Sequence, residues 1–169
     1  MSQELPEGTV TVLFTDVAGS TGLTSSRGDE AARDVLRAHE ELVRQQVQEH
    51  GGREVKALGD GVLAVFTSAR QAIECALRCE AASQPLGLRL HLGIHAGDVI
   101  REENNVYGGA VNIAARIAGA AAPGEVLVSD TVRGLARTSA GVTFDDRGEH
   151  SLKGVADPQH LFAVREGNA

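Results

Sequence analysis

The tightest constraint on the fold lies between Arg53 and Phe66. Two short strand-like runs, Arg53–Ala57 and Val62–Phe66, are separated only by Leu58–Gly59–Asp60–Gly61. A Gly-containing spacer of that length turns a chain back on itself, so the runs predict an antiparallel hairpin. Neighbouring parallel strands need a crossover of a dozen or more residues, which this spacer cannot supply. A purely doubly wound sheet is therefore excluded at this point of the chain.

The rest of the pattern is arranged around that hairpin. Thr9–Val17 (TVTVLFTDV) is rich in β-branched residues. Val10, Val12 and Phe14 alternate, with Asp16 next on the same face, so a strand ends in a carboxylate. The Ala18–Gly28 stretch reads as a polar loop after a loose Met1–Gly8 leader. Asp29–His50 repeats apolar residues at helical spacing through Val35, Leu36, His39, Leu42, Val43, Gln46 and Val47, and Gly51–Gly52 stops it. Ser68 with Gln71 forms a capping box ahead of a second helix, whose stripe is Ala72, Ile73, Ala76, Leu77 and Cys79. Leu88–Ala96 alternates as a strand, and a third helix runs from Ala110 to about Ala120, broken by Pro123–Gly124. Glu125–Ser129 predicts a strand, Asp130–Ala136 a short helix, and Val142–Phe144, Gly148–Leu152 and His160–Val164 three short closing strands. This order predicts an α+β sandwich, a mixed and mostly antiparallel sheet with helices on one face. At 169 residues the chain is expected to form one domain, 1–169, with its core at about 8–165.

Composition narrows the function. Four Phe, one Tyr and no Trp leave little for stacking bases on aromatic platforms. A net charge of −7 argues against a nucleic-acid or anionic-membrane binder, though not against one local basic pocket. No apolar run is long enough to span a bilayer, and the leader MSQELPEG has neither a basic nor an apolar secretory stretch. Cys75 and Cys79 are one helical turn apart, a poor geometry for a disulfide, and read as buried thiols. A cytoplasmic location is expected.

Few residues are placed to carry chemistry. Asp16 and Asp60 each sit where a strand meets a turn. They are either turn aspartates satisfying backbone amides or a pair of hard carboxylates suited to Mg²⁺ or Mn²⁺ and a phosphorylated substrate. Lys56, four residues before Asp60, is a solvated strand lysine or a base or phosphate ligand. Asn112 and Arg116 share one face of the third helix amid small apolar residues, so Arg116 needs either an intramolecular carboxylate or an oxyanion. His91 and His95 point the same way on a strand but lie about 13 Å apart, too far to share a metal, and read as surface or interface histidines. No phosphate-binding loop, dinucleotide fingerprint or serine-hydrolase elbow is present.

Taken together, the motifs resemble the class III nucleotidyl cyclase catalytic domain. FTDVAGST (14–21) looks like its first metal motif and KALGDGVLAVF (56–66) like its second. VYGGAVNIAARI (106–117) looks like the transition-state segment, and EVLVSD (125–130) and SLKGV (151–155) resemble the tail. The resemblance implies a ferredoxin-like sandwich and a head-to-tail homodimer related by a two-fold, with sites at the interface. It implies that Asp16 and Asp60, with Val17 beside the first, hold two divalent ions, Mg²⁺ or Mn²⁺. The partner copy would supply Lys56 for the base, Asn112 for the ribose and Arg116 for the α-phosphate. Lys153 is similar to the family's triphosphate-binding lysine.

One position departs from the family pattern. The second base-reading residue, seven before the transition-state Asn, is commonly Asp, Thr or Ser and here is Asn105. An Asn accepts from adenine or donates to guanine, whereas Lys56 favours adenine over the Glu usual in guanylate cyclases. The expectation is thus an adenylate cyclase making cyclic AMP and pyrophosphate from ATP. The alternatives are a weak or inactive nucleotide-binding module, or a cyclase with relaxed ATP/GTP selectivity. The polar stretch REENN (101–105) is expected to be mobile.

Overall fold

The computed structural model describes residues 5, 8–18, 28–57, 61–103 and 105–166. Most of the leader, the loop 19–27, the hairpin tip 58–60 with Asp60, Asn104 and the tail 167–169 lie outside the described residues. In chain order the elements are β1 (Gly8–Val17), α1 (Asp29–Glu49), β2 (Arg53–Ala57), β3 (Gly61–Phe66), α2 (Ala69–Ser83), β4 (Leu90–Glu102), β5 (Asn105–Tyr107), α3 (Gly109–Ala120), β6 (Glu125–Ser129), α4 (Asp130–Ala136), β7 (Val142–His150) and β8 (Gln159–Glu166).

The strands form one sheet in the order β2-β3-β1-β4-β6-β8-β7, with β5 paired to β4. The hairpin is as expected: β2 and β3 run antiparallel. β3 and β4 flank β1 antiparallel, β4 and β6 are parallel, and β8 pairs antiparallel with both β6 and β7. The mixed, mostly antiparallel α+β architecture agrees with the sequence reading.

Strand alternation divides the core. Leu13 and Val17 of β1, Val62, Ala64 and Phe66 of β3, and Leu90, Leu92 and Ile94 of β4 pack against α1, α2 and α4. Val43 and Val47 of α1 and Ile73 and Ala76 of α2 close that layer. Fully burying a Leu, Ile, Val or Phe contributes about 1.5–3 kcal/mol relative to exposure, so this layer carries most of the hydrophobic stabilisation. The opposite face is also covered. There Val10 and Val12 of β1, Leu63 and Val65 of β3 and Val99 of β4 meet Ala110 and Ala114 of α3. Ile117 continues that contact onto Leu127 and Leu161. Helices therefore lie on both faces, not on one. The alternation of β4 hides this, because the positions facing α3 are His91, Gly93, His95 and Gly97, which read as a polar or empty face.

Local signals act as expected at several places. Ser68 Oγ accepts the Gln71 N–H at 3.1 Å and opens α2. Cys75 and Cys79 are both free and buried, their sulfurs 3.9 Å apart. The hydrogen bond with the Cys75 thiol and burial push Cys79 well above the ordinary thiol range. His95 is a correction: it is buried, not a surface histidine, and its Nδ1 lies 2.8 Å from Ser129 Oγ. Burial holds its imidazole below the usual histidine range. β4 also runs six residues past Ala96 and turns back into β5 through Ile100↔Tyr107 and Glu102↔Asn105, so the described part of REENN is mostly strand. β7 likewise joins two expected short strands across an irregularity between Asp146 and Glu149.

Candidate active site

Helix α3 is the axis of the site. Asn112 and Arg116 are four residues apart, so they lie on one helical face, and both are exposed. Asn112 lines a groove of about 310 Å³ with Lys56, Phe14, Tyr107 and Val111. Arg116 lines a second groove, of about 280 Å³, with Ser151, Leu152 and Lys153. Ala115 lines both, so the two adjoin along α3 and make one track of exposed side chains. The tail reaches it because Leu152 is buried beside Ile117 and Ala121. A methyl group on Gly154 would stand 3.9 Å from Asn112 Nδ2. Residues from β2, α3 and the tail are thus brought together although they are far apart in sequence.

Charge gathers on the same face. Lys56, Arg116 and Lys153 are all exposed, and none forms an ion pair among the described residues. Six other described arginines do form ion pairs, among them Arg44 with three glutamates, Arg89 with Glu80 and Arg147 with Glu125. The intramolecular-carboxylate alternative for Arg116 therefore fails among the described residues. Three cations that meet no described carboxylate, on a chain of net charge −7, make a local attractor for a polyanion.

Asp16 stands elsewhere. It ends β1 half-buried, opposite Gly61 on one side and His91 on the other, and lines neither groove. Gly61 is the residue after Asp60, and a methyl on it would lie 2.6 Å from the Thr15 carbonyl and 3.6 Å from Asp16 Oδ1. Only glycine lets the Thr15 carbonyl, next to Asp16, lie so close to the start of β3. The donor set fits a divalent cation: hard carboxylate oxygens at a strand end, rather than sulfur or imidazole. Val17 turns its side chain into the core at 3% exposure, and the one oxygen it has is its backbone carbonyl. Asp60 lies outside the described residues.

Asn105 opens β5 half-buried, and its Oδ1 accepts the Val106 N–H at 2.9 Å. The next three residues, Val106–Gly108, line the Lys56 groove, whereas Asn105 does not. Sequence reasoning passed over Phe14 and Tyr107 as groove walls. The signal for Phe14 is its place on the same strand face as Asp16, two residues earlier.

The sequence profile of the adenylate and guanylate cyclase catalytic domain matches residues 3–165. The chain belongs to that family. This cyclase domain is 33% identical over 160 residues to a putative adenylate cyclase of Rhizobium meliloti, a match covering 89% of the chain and 27% of the relative. It is 35% identical over 166 residues to an uncharacterized protein of Mycobacterium tuberculosis, covering 94% of the chain and 56% of that protein. The domain thus spans between about a quarter and just over half of these relatives. Among solved structures it resembles the adenylyl cyclase CyaB of P. aeruginosa, with a TM-score of 0.86, 96% of each chain covered and 22% identity, a likeness of fold. It also resembles an adenylate/guanylate cyclase/hydrolase from Silicibacter pomeroyi, with a TM-score of 0.81, 28% identity and coverage of 95% and 98%. The guanylyl cyclase Cya2 matches with a TM-score of 0.82 at 25% identity over 96% of each chain. Cyclases of both nucleotide types therefore share this fold. Class III cyclases act on nucleotides with divalent metal ions, and no helix among the described residues is long and apolar enough to cross a membrane.

Proposed function

We propose that this domain is an adenylate cyclase, converting ATP to 3′,5′-cyclic AMP and pyrophosphate at sites shared across a two-fold homodimer. The carrying observation is the pair of grooves along α3, where Lys56 and Asn112 share one, Arg116 and Lys153 share the next, and the three cations meet no carboxylate among the described residues. Their residues suit a base beside Lys56 and a triphosphate beside Arg116 and Lys153. Lys56 hydrogen-bonds the adenine edge beside the apolar walls of Phe14 and Val106. Asn112 orients the ribose so that its 3′-hydroxyl faces the α-phosphorus. That oxygen forms the new bond to phosphorus and gives up its proton to solvent, and pyrophosphate departs with the electrons of the broken bond between the α-phosphorus and the bridging oxygen. Arg116 meets the charge growing on the α-phosphate, and Lys153 binds the outer phosphates.

Asp16, Val17 and Asp60 would hold the metal. Two divalent cations, Mg²⁺ or Mn²⁺, when bound there, neutralise the triphosphate and lower the pKa of the 3′-hydroxyl. Asp16 lies off the α3 track of its own chain, which supports an arrangement in which one copy supplies the carboxylates and its head-to-tail partner supplies Lys56, Asn112 and Arg116.

Asn105 favours a second reading, relaxed selectivity between ATP and GTP. Its Oδ1 already accepts a backbone N–H, so one of its acceptor sites for the adenine amine is occupied, while its amide donors suit a guanine oxygen. The deciding assay supplies ATP and GTP separately to the purified chain. Lys56→Glu is expected to lower ATP turnover about tenfold or more, the worth of a lost charged hydrogen bond of about 1.5–3 kcal/mol. A wild-type preference for GTP, or unchanged ATP use in Lys56→Glu, would overturn the base assignment.

A further inference from the structure

Helix α3 carries Asn112 and Arg116 but has little fully buried hydrophobic bulk, Val111 and Ile113 being only partly buried. Its buried residues are Ala110, Ala114, Ile117 and Ala118, a single large side chain among alanines. Small side chains allow close approach, yet they resist sliding poorly. Two contacts to β4 supply what bulk does not. At Gly93 an added methyl would stand 2.2 Å from the Ala118 nitrogen and 2.6 Å from the Ala114 carbonyl oxygen, so the helix backbone rests directly on the strand. Two residues earlier, His91 Nδ1 lies 2.7 Å from the Ala121 carbonyl oxygen. A carbonyl only accepts, so Nδ1 carries the proton and donates it. Ala121 is the C-cap of α3, and the last carbonyls of a helix have no partner within it.

His91 also stands opposite Asp16 in the β1–β4 ladder. Directly opposed residues of an antiparallel pair have Cβ atoms about 4.5–5.5 Å apart. One side chain thus joins the end of α3 to the strand position beside the candidate metal carboxylate. We infer that His91 is a positioning residue. Its bond to Ala121 fixes where α3 lies along β4, and with it the placement of Asn112 and Arg116. The latch itself follows from the hydrogen bond. Its effect on turnover rests on the cyclase reading.

Three substitutions test it. His91→Ala removes the ring, His91→Phe keeps its bulk without the donor, and His91→Asn restores an N–H within reach of the carbonyl. In the Ala and Phe variants kcat is expected to fall about tenfold or more, with the KM for ATP within about threefold, since a misplacement of about 1 Å can cost up to ~100-fold. His91→Asn should recover most of the loss. Amide hydrogen exchange in the last turn of α3 should quicken in the Ala and Phe variants and not in His91→Asn. Wild-type kcat per folded dimer in His91→Phe, or exchange unchanged from wild type, would overturn the inference. So would a His91→Asn variant as impaired as His91→Phe. If the wild-type chain forms no cyclic nucleotide, the proposed activity fails, and exchange alone decides the latch: unchanged rates in His91→Phe reject it and faster rates sustain it.

Discussion

Asp16→Ala is expected to leave a folded protein that forms no cyclic nucleotide above background, with ATP or GTP, in Mn²⁺ or in Mg²⁺. The loss should be at least ~10²–10³-fold, the scale seen when a preorganised charge is taken from a site where charge develops. Folding should survive because Asp16 sits at the end of β1, half-buried and outside the three clusters that make up the core. Far-UV circular dichroism and sedimentation separate loss of chemistry from loss of structure. Turnover that persists in a folded Asp16→Ala protein removes the carboxylate assignment, and with it the reason for placing a metal at this strand end.

The second large effect is a recovery. Asp60→Ala and Arg116→Ala should each be inactive alone, and an equimolar mixture should regain about a quarter of wild-type activity. Random exchange makes half of the dimers mixed, and each mixed dimer keeps one complete site of two. That outcome needs the carboxylates and Arg116 to come from different copies. If both variants dimerise and the mixture stays inactive, the site is not shared. Asp16 lies outside the grooves that hold Asn112 and Arg116 of the same chain, which is why recovery is expected.

Much of the fold was legible because its signals are local. The β2–β3 hairpin, the Ser68 cap and the apolar stripe of α1 each depend on residues a few positions apart. What was missed depends on absent side chains or distant partners. Gly93 and Gly97 show nothing in a hydrophobic pattern, yet their emptiness is what admits α3 onto a face of β4 that otherwise reads polar. His95 looks like a surface residue until its bond to Ser129, 34 positions away, comes into view. The extension of β4 beyond Ala96 carries Asp98, Arg101 and Glu102, and its pairing with β1 up to Val99 and then with β5, rather than its composition, makes it a strand. For the site, Lys56, Asn112, Arg116 and Lys153 were all proposed from their sequence motifs, and the fold assembles them along one helix. Their grouping could not be read from spacing, since β2 and the tail meet α3 only through tertiary packing. Asn105 shows the converse: its motif position is clear, and its hydrogen bond to the neighbouring backbone is a matter of rotamer.

The two thiols of α2 have a practical consequence. Both are buried, and they are the only cysteines in the chain. A thiolate, not a thiol, reacts with alkylating reagents, so native protein should consume almost none and unfolded protein two equivalents. The rate of labelling then clocks the opening of the layer that holds most of the core, without any engineered reporter. It also leaves the surface vacant for a cysteine introduced elsewhere, so a probe attached there would report from one known position in every molecule.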